Sequence, residues 1–178
     1  MNNNQRNDAL SVFGNTNYLD GFIYHLEAQI ELREEFKRPL NEAPNYYAWL
    51  SMTSERIFYR IREVHFSKYK DNEVFDHQYK KLLDSLFNDI DFHREQKESI
   101  ILFAKIRHIL VHKGFPNPHI VPAGNLRPIT KGVVLTPEET KEVCEYLFNT
   151  SNFNTLKAKY TAITKELKSH LLPVIWYG

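Results

Sequence analysis

Cysteine is almost absent from this sequence, and Cys144 is the only one among 178 residues. A single cysteine excludes an intramolecular disulfide framework and fits a chain that works in a reducing compartment. No run approaches the roughly 18 apolar residues that a transmembrane helix needs, and the stretch from Met1 to Asp8 lacks the apolar core of a signal peptide. These features predict a cytoplasmic protein with no membrane contact, in which Cys144 is a buried thiol.

An excess of charge is also lacking, because 23 Lys and Arg residues face 22 Asp and Glu residues. Proteins that bind long duplex DNA non-specifically carry more positive charge, so any nucleic-acid contact is expected to be local. The sequence contains no glycine-rich phosphate-binding loop, which argues against an ATP- or GTP-driven motor. No cofactor is predicted.

The chain has only six glycines and eight prolines, and they are unevenly placed. Residues 114–137 hold five of the prolines and three of the glycines, so a helix cannot persist there. We predict a long loop over this range, with a short hairpin from Ile129 to Leu135. A loop of this length inside a compact domain is often functional.

Elsewhere, apolar residues recur at the three- and four-residue spacing of amphipathic helices. This pattern predicts an all-α protein: a disordered tail over residues 1–15, then a single domain over residues 16–178. Its fold is expected to be an up-and-down bundle of four to five main helices. The predicted helices run from Leu19 to about Lys37, from Pro44 through Val64, from Phe75 to Ile90, from Glu95 to His112, from Thr136 to Asn149 and from Leu156 to Leu171.

The segment from Lys105 to Gly114 ends the most apolar of these helices. At about 100° per residue, Arg107 projects into the middle of an apolar arc that includes Phe103 and Leu110. An arginine on an apolar face needs a partner, because an unpaired buried charge is too costly to keep. We therefore predict that this helix is central, and that Arg107 is largely buried or lies in an interface.

In the same segment, Arg107 is followed by the polar His108, by three apolar residues and then by His112, with Gly114 two positions further on. This order resembles the signature of the HEPN superfamily of helical proteins. The resemblance implies a HEPN-like domain in which Arg107, His108 and His112 take part in RNA cleavage. It also implies a homodimer that pairs two motif helices around a common cleft. Such proteins often serve as toxins or anti-phage effectors, restrained by a nucleotidyltransferase-like antitoxin.

These residue types suit RNA cleavage without a metal. Histidines transfer protons near neutral pH, and the planar guanidinium of an arginine stabilises phosphate charge. On a straight helix, however, Arg107 and His112 point about 140° apart. Either the helix ends and turns near His112, or a second copy completes the site. Four further cations are expected to contact RNA phosphates around the motif: Lys105, Lys113, Arg127 and Lys131.

Two alternatives remain open. His108 and His112 have the four-residue spacing of zinc ligands on a helix, but no glutamate or cysteine beside them completes a site, so no metal is predicted. Asp89, Asp91 and His93 are interpreted as a solvated helix cap. The aromatic residues Tyr46, Tyr47, Trp49, Phe58 and Tyr59 are interpreted as core rather than as base-stacking groups. The alternative function is a non-catalytic helical bundle that binds a protein or a nucleotide.

Overall fold

The computed structural model describes residues 3–33, 43–68, 79–113, 138, 141–143 and 149–171, with side chains for 18–33, 43–65, 82–110, 138, 141–143 and 149–171. These residues are 92% helical and include no strand, so the predicted all-α fold class is confirmed. The main helices of the described ranges are α1 (Asn3–Arg33), α2 (Pro44–Lys68), α3 (Tyr79–Asp89), α4 (Arg94–Lys113) and α5 (Phe153–Ser169). A 3-10 turn at Thr150–Asn152 precedes α5.

Helix α2 lies at the centre of the described bundle and packs against α1, α3, α4 and α5. Its sequence explains this position, because Trp49 and Phe58 point about 180° apart on the helix and are both buried, and no side chain from Asn45 to His65 is exposed. A helix buried nearly all round must be enclosed by other elements. Within the described residues, α2 therefore takes the central position that we predicted for the motif helix. Helix α4 packs mainly on α2 and α5 and leaves Ile101 exposed.

An aromatic cluster joins α2 to α5 and α1. The ring centroids of Trp49 and Phe153 lie 5.0 Å apart in an edge-on arrangement, and Tyr46 meets Phe153 in the same way at 6.2 Å. The indole Nε1 of Trp49 donates a hydrogen bond to Glu27 on α1 at 3.0 Å. This bond satisfies the only polar atom of the buried Trp49 side chain. The prediction that Tyr46, Trp49 and Phe58 are core residues is confirmed.

The helix boundaries follow local chemistry. Helix α2 begins at Pro44 as predicted, since proline has no N–H to leave unsatisfied in a first turn. Helix α4 begins at Arg94 because His93 caps it: the His93 N–H donates to the Gln96 side chain at 2.9 Å, and the His93 carbonyl accepts from Lys97 at 3.1 Å. The cap predicted at His93 is thus formed by its backbone.

Helix α1 differs most from the prediction, because it begins at Asn3 where a tail was expected over residues 1–15. The tail was inferred because the stretch from Met1 to Asp8 has no apolar core, but the segment also contains no proline. Nothing there removes a backbone hydrogen-bond donor, so the helix can continue outward from its packed part, which starts near Ile23. Polar composition alone does not end a helix.

Three predicted features lie outside the described residues: the loop over 114–137 with its hairpin, Cys144 and most of the fifth predicted helix. Of that helix, Glu138 and residues 141–143 are described and helical, whereas Asn149, its predicted end, is extended and caps the 3-10 turn. Within the described ranges, no helix combines the length and the apolar character that crossing a bilayer requires.

Candidate functional site

Arg107 lies on the inner face of α4, turned toward α2. Its Nε donates to Glu55 Oε2 at 2.6 Å and its second terminal nitrogen donates to Glu55 Oε1 at 3.3 Å. This is the two-pronged pairing of a guanidinium with a carboxylate. The guanidinium carbon also lies 3.9 Å from the centroid of the Phe58 ring, one helical turn after Glu55. The Glu55 carboxylate therefore binds the edge of the Arg107 guanidinium, and the Phe58 ring packs against its face.

The burial of this pair agrees with the prediction made from the sequence. The side chain of Arg107 is 17% exposed and that of Glu55 is 26% exposed, so the predicted largely buried arginine with a charged partner is confirmed. Glu55 and Phe58 were missed as site residues. Nothing in one sequence distinguishes Glu55 from Glu63, the other carboxylate of α2, because the choice depends on how α2 and α4 pack.

His108 and Lys105 lie on a different side of α4 from Arg107, and both are half-buried. Successive helix positions diverge by about 100°, so His108 turns away from the Glu55 pair, while Lys105 and His108 are neighbours three positions apart. Position 112 continues the row of Lys105 and His108 along the α4 backbone. The side chains of His112 and Lys113 lie outside the described residues, as do Arg127 and Lys131 altogether.

A cleft runs between α4, α5 and residues 141–143, and we call it the α4–α5 cleft. Its volume is about 270 Å³. Ser99, Leu102 and Lys105 line it from α4, Lys159 lines it from α5, and Val143 lines it from the third segment. Lys105, one of the predicted phosphate contacts, therefore faces a concave surface. Lys159 was missed, although its place after the buried Leu156 marks it as a cation near the core.

A second charged cluster clamps α1 onto α2. Arg56 is only 1% exposed and donates from Nε to Asp20 at 2.5 Å, while Glu63 accepts from Arg60 at 2.6 Å and lies 3.5 Å from Arg56. Burial alone would lower the pKa of Arg56, but the hydrogen bond to Asp20 and the charges of Glu63 and Asp20 outweigh it and raise that pKa. Two cations face two anions here, so this cluster is a structural clamp.

Metal chemistry has no support among the described side chains, which hold no group of three or more His, Cys, Asp or Glu residues close enough to share an ion. Asp89, Asp91 and His93 are all described and form no such group. Asp91 instead lies 3.9 Å from Lys97, across the cap of α4.

Fold and site together define an all-α protein whose motif helix carries a paired arginine on one face and contributes Lys105 to a cleft on another. No protein-family model, curated protein or solved structure matches the chain.

Proposed function

We propose that this protein is a metal-independent endoribonuclease of the HEPN type, with its active site formed at a homodimer interface. The observation that carries the proposal is the position of Arg107. This arginine is fixed by Glu55 and Phe58 on the last turns of α4, five residues before His112. A cation held in one orientation is what stabilising a phosphorane requires, because a preorganised charge needs no rearrangement during the reaction.

The chemistry follows from the residue types. One histidine of the motif removes the proton from a ribose 2′-OH, whose oxygen attacks the adjacent phosphorus. The bond to the 5′-oxygen breaks, and the other histidine protonates that leaving oxygen. The products are a 2′,3′-cyclic phosphate and a 5′-hydroxyl. Arg107 stabilises the extra negative charge on the non-bridging oxygens in between.

The dimer is part of this proposal because of the two faces of α4. Arg107 faces α2, whereas positions 108 and 112 lie on another side of the helix. A two-fold axis beside the end of α4 brings the histidine row of one copy to the arginine of the other. We further propose that the protein acts on RNA in the cytoplasm as a toxin or anti-phage effector, with a nucleotidyltransferase-like antitoxin as its partner.

A second candidate function is favoured by the Glu55–Arg107 pair itself. Glu55 takes two donors of the Arg107 fork, which is also the arrangement that a purely structural arginine would have. On this reading the chain is a non-catalytic helical bundle that binds a protein or a nucleotide. The two candidates differ in whether RNA is cut.

The deciding experiment incubates purified protein with tRNA and mRNA in the presence of EDTA and separates the products on a gel. We expect cleavage that EDTA leaves unchanged, with 2′,3′-cyclic phosphate ends and with no cutting at 2′-deoxy positions. His112→Ala and Arg107→Ala should each lower the rate by roughly 10²–10⁴-fold. His93→Ala is the matched control, because His93 lies exposed at the other end of α4.

Abolition of cleavage by EDTA, or equal cutting of 2′-deoxy substrates, would show that the proposed chemistry is wrong. Absence of cleavage from the wild-type protein, in the presence and in the absence of divalent ions, would favour the non-catalytic candidate. Far-ultraviolet circular dichroism of each variant separates loss of chemistry from loss of fold.

A further inference from the structure

The α4–α5 cleft combines cations with apolar surface in one concavity. Lys105 and Lys159 line it from two different helices, and the buried Val143 and half-buried Leu102 supply apolar wall. Three of the eight lining residues are apolar (Ile101, Leu102 and Val143) and five are polar or charged, so the cleft offers apolar surface beside several groups that can orient a ligand. A volume of about 270 Å³ suits one small group rather than a long chain.

Lys159 has donor capacity left over for a ligand. Among the described residues its ammonium has two polar neighbours, Ser99 Oγ at 3.4 Å and a carboxylate oxygen of Glu95 at 4.0 Å. An ammonium carries three N–H donors, and both distances are at the outer limit of a direct contact. Lys157, on the same helix, instead lies 2.7 Å from Glu31 and 3.3 Å from Glu27. Lys157 thus makes two close ion pairs, whereas the contacts of Lys159 within the described residues are both long.

Ser99 provides a second polar group in the wall of the cleft. It is only 4% exposed, and the long contact with Lys159 is the one hydrogen bond of its hydroxyl to the described residues. Buried hydroxyls usually have a well-placed partner, so a group that enters the cleft would satisfy both Ser99 and Lys159. The two side chains come from different helices and meet inside the cleft.

The cleft leads toward the motif histidines. Glu98, Ile101, Lys105 and His108 are spaced by three, four and three residues, which places them in one row along α4. His108 follows Lys105 by about 4.5 Å along the helix axis. A strand of nucleic acid that lies along this row would pass from the cleft to the motif. The same strand would not reach the inward Arg107 of its own copy.

Two glutamates limit what the cleft can hold. Glu98 and Glu142 also line it, and Glu98 is paired with Arg94 at 2.7 Å. The two lysines and two glutamates leave the lining without excess charge, so the cleft suits one phosphate rather than a run of them. A free inorganic anion would not use the apolar wall formed by Leu102 and Val143. The chemistry that matches both is a nucleoside phosphate.

We propose that the α4–α5 cleft binds one nucleotide of an RNA strand, beside the site of cleavage. Its phosphate contacts Lys105, Lys159 and the Ser99 hydroxyl, and its sugar and base pack on Leu102 and Val143. This subsite is built from Lys159 and Ser99, which lie outside the motif. The inference rests on the proposed RNA substrate, but it can be tested without any cleavage.

The test measures binding of a short, fluorescent, single-stranded oligonucleotide with 2′-O-methyl groups throughout, so that no cut is possible. Lys159→Ala should raise the Kd roughly tenfold, as expected for loss of one charge-assisted contact, and should reduce the salt dependence by about one phosphate contact. Ser99→Ala should raise the Kd by roughly threefold, the size of one neutral hydrogen bond. Lys159→Arg should retain most of the affinity.

Lys165→Ala is the matched control, since it removes the same charge from an exposed position of the same helix. Equal effects of Lys165→Ala and Lys159→Ala would overturn the inference, because they would indicate a general electrostatic contribution. Failure of the wild-type protein to bind the oligonucleotide would overturn it too. Equally tight binding of free adenosine monophosphate would assign the cleft to a mononucleotide and overturn the assignment to an RNA strand. Binding that depends on Lys159, in a protein that never cleaves RNA, would support the cleft and contradict the proposed endoribonuclease.

Discussion

At the scale of single residues, the most informative contact is the pair of Arg107 with Glu55. Removing one partner of such a pair leaves the other charge largely buried, which costs more than the pair itself contributes. Glu55 therefore stabilises the largely buried charge of Arg107, and it does so independently of any catalytic role of the arginine. Because 17% and 26% of the two side chains remain exposed, water screens part of the attraction.

We predict that Glu55→Ala lowers the free energy of unfolding by about 1–3 kcal/mol, the range for a charged hydrogen-bonded group that loses its partner. In a double-mutant cycle with Arg107→Ala, the coupling should be roughly 1–2 kcal/mol, because the two residues share direct contacts. Urea unfolding of the four proteins measures both quantities.

The Arg94–Glu98 pair is the control for that cycle. Its Nε–Oε1 distance of 2.7 Å is nearly the same as in the Arg107 pair, but both of its residues are exposed. Water and salt screen such a pair, so its coupling should be clearly smaller. Equal couplings in the two cycles would contradict the argument that burial gives the inner pair its strength.

The protonation of His65 is expected to make the free energy of unfolding depend on pH. Burial near the end of α2 lowers the pKa of His65 below its ordinary value of 6.5, and the charge of Asp89 opposes this effect only in part. The unfolded chain therefore binds the proton first as the pH falls. We predict that the stability contributed by neutral His65 is fully present above pH 6.5 and is lost as the pH falls from there through the folded-state pKa.

Urea midpoints measured across this interval should fall less steeply for His65→Gln than for the wild-type protein. His93→Gln is the control, because His93 is exposed in the cap of α4. Parallel pH profiles for the wild-type protein and His65→Gln would mean that other groups cause the loss of stability.

At the scale of the helices, a substitution of Gly21 tests whether α1 is a continuous helix. It lies in the interior of the helix on an exposed position, and a Cβ built there meets nothing within 4 Å. Glycine in a helix loses more backbone entropy on folding than alanine does. We predict that Gly21→Ala raises the free energy of unfolding by about 0.5–1 kcal/mol. Ala28→Gly, at a half-buried position of the same helix, should lower it by a similar or larger amount, and no gain for Gly21→Ala would argue against a continuous α1.

The helices also show what one sequence can predict. The start of α2 at Pro44 and the existence of α4 follow from local rules, namely the tolerance for proline in a first turn and apolar periodicity. The demand of Arg107 for a partner follows from its place on an apolar face. The identity of that partner does not follow, because Glu55 is 52 residues away and meets Arg107 only through tertiary packing.

The dependence on tertiary packing also explains the other differences between the predictions and the structure. The central position of α2 was missed because five buried polar and charged residues interrupt its apolar pattern: Thr53, Ser54, Arg56, Glu63 and His65. Arg56 pairs with the distant Asp20, and Thr53 and Ser54 donate to backbone carbonyls of the preceding turn. Glu63 accepts from Arg60 within the same helix. Lys159 and Ser99 were missed because a cleft between two helices leaves no periodic signal in either of them.

At the scale of the whole molecule, the two faces of α4 impose the main constraint. One copy holds Arg107 against α2, while positions 108 and 112 lie on another side of the α4 backbone. We therefore propose that the groups acting on one phosphate come from two copies. A closed two-fold dimer supplies each site with groups from both copies. We expect sedimentation at micromolar concentration to show a dimer without RNA, and a protein that stays monomeric would argue strongly against a shared site.

A shared site predicts complementation between two inactive proteins. Arg107→Ala retains His112, and His112→Ala retains Arg107, so a mixed dimer contains one site with both groups and one site with neither. After mixing under conditions that allow subunit exchange, random pairing across the two-fold interface should restore roughly a quarter of the wild-type cleavage rate. The doubly substituted protein mixed with either single variant is the control and should restore nothing, since no pairing then assembles a complete site. Recovery that is absent although native mass spectrometry detects the mixed dimer would place Arg107 and His112 in the same copy's site and contradict the shared arrangement.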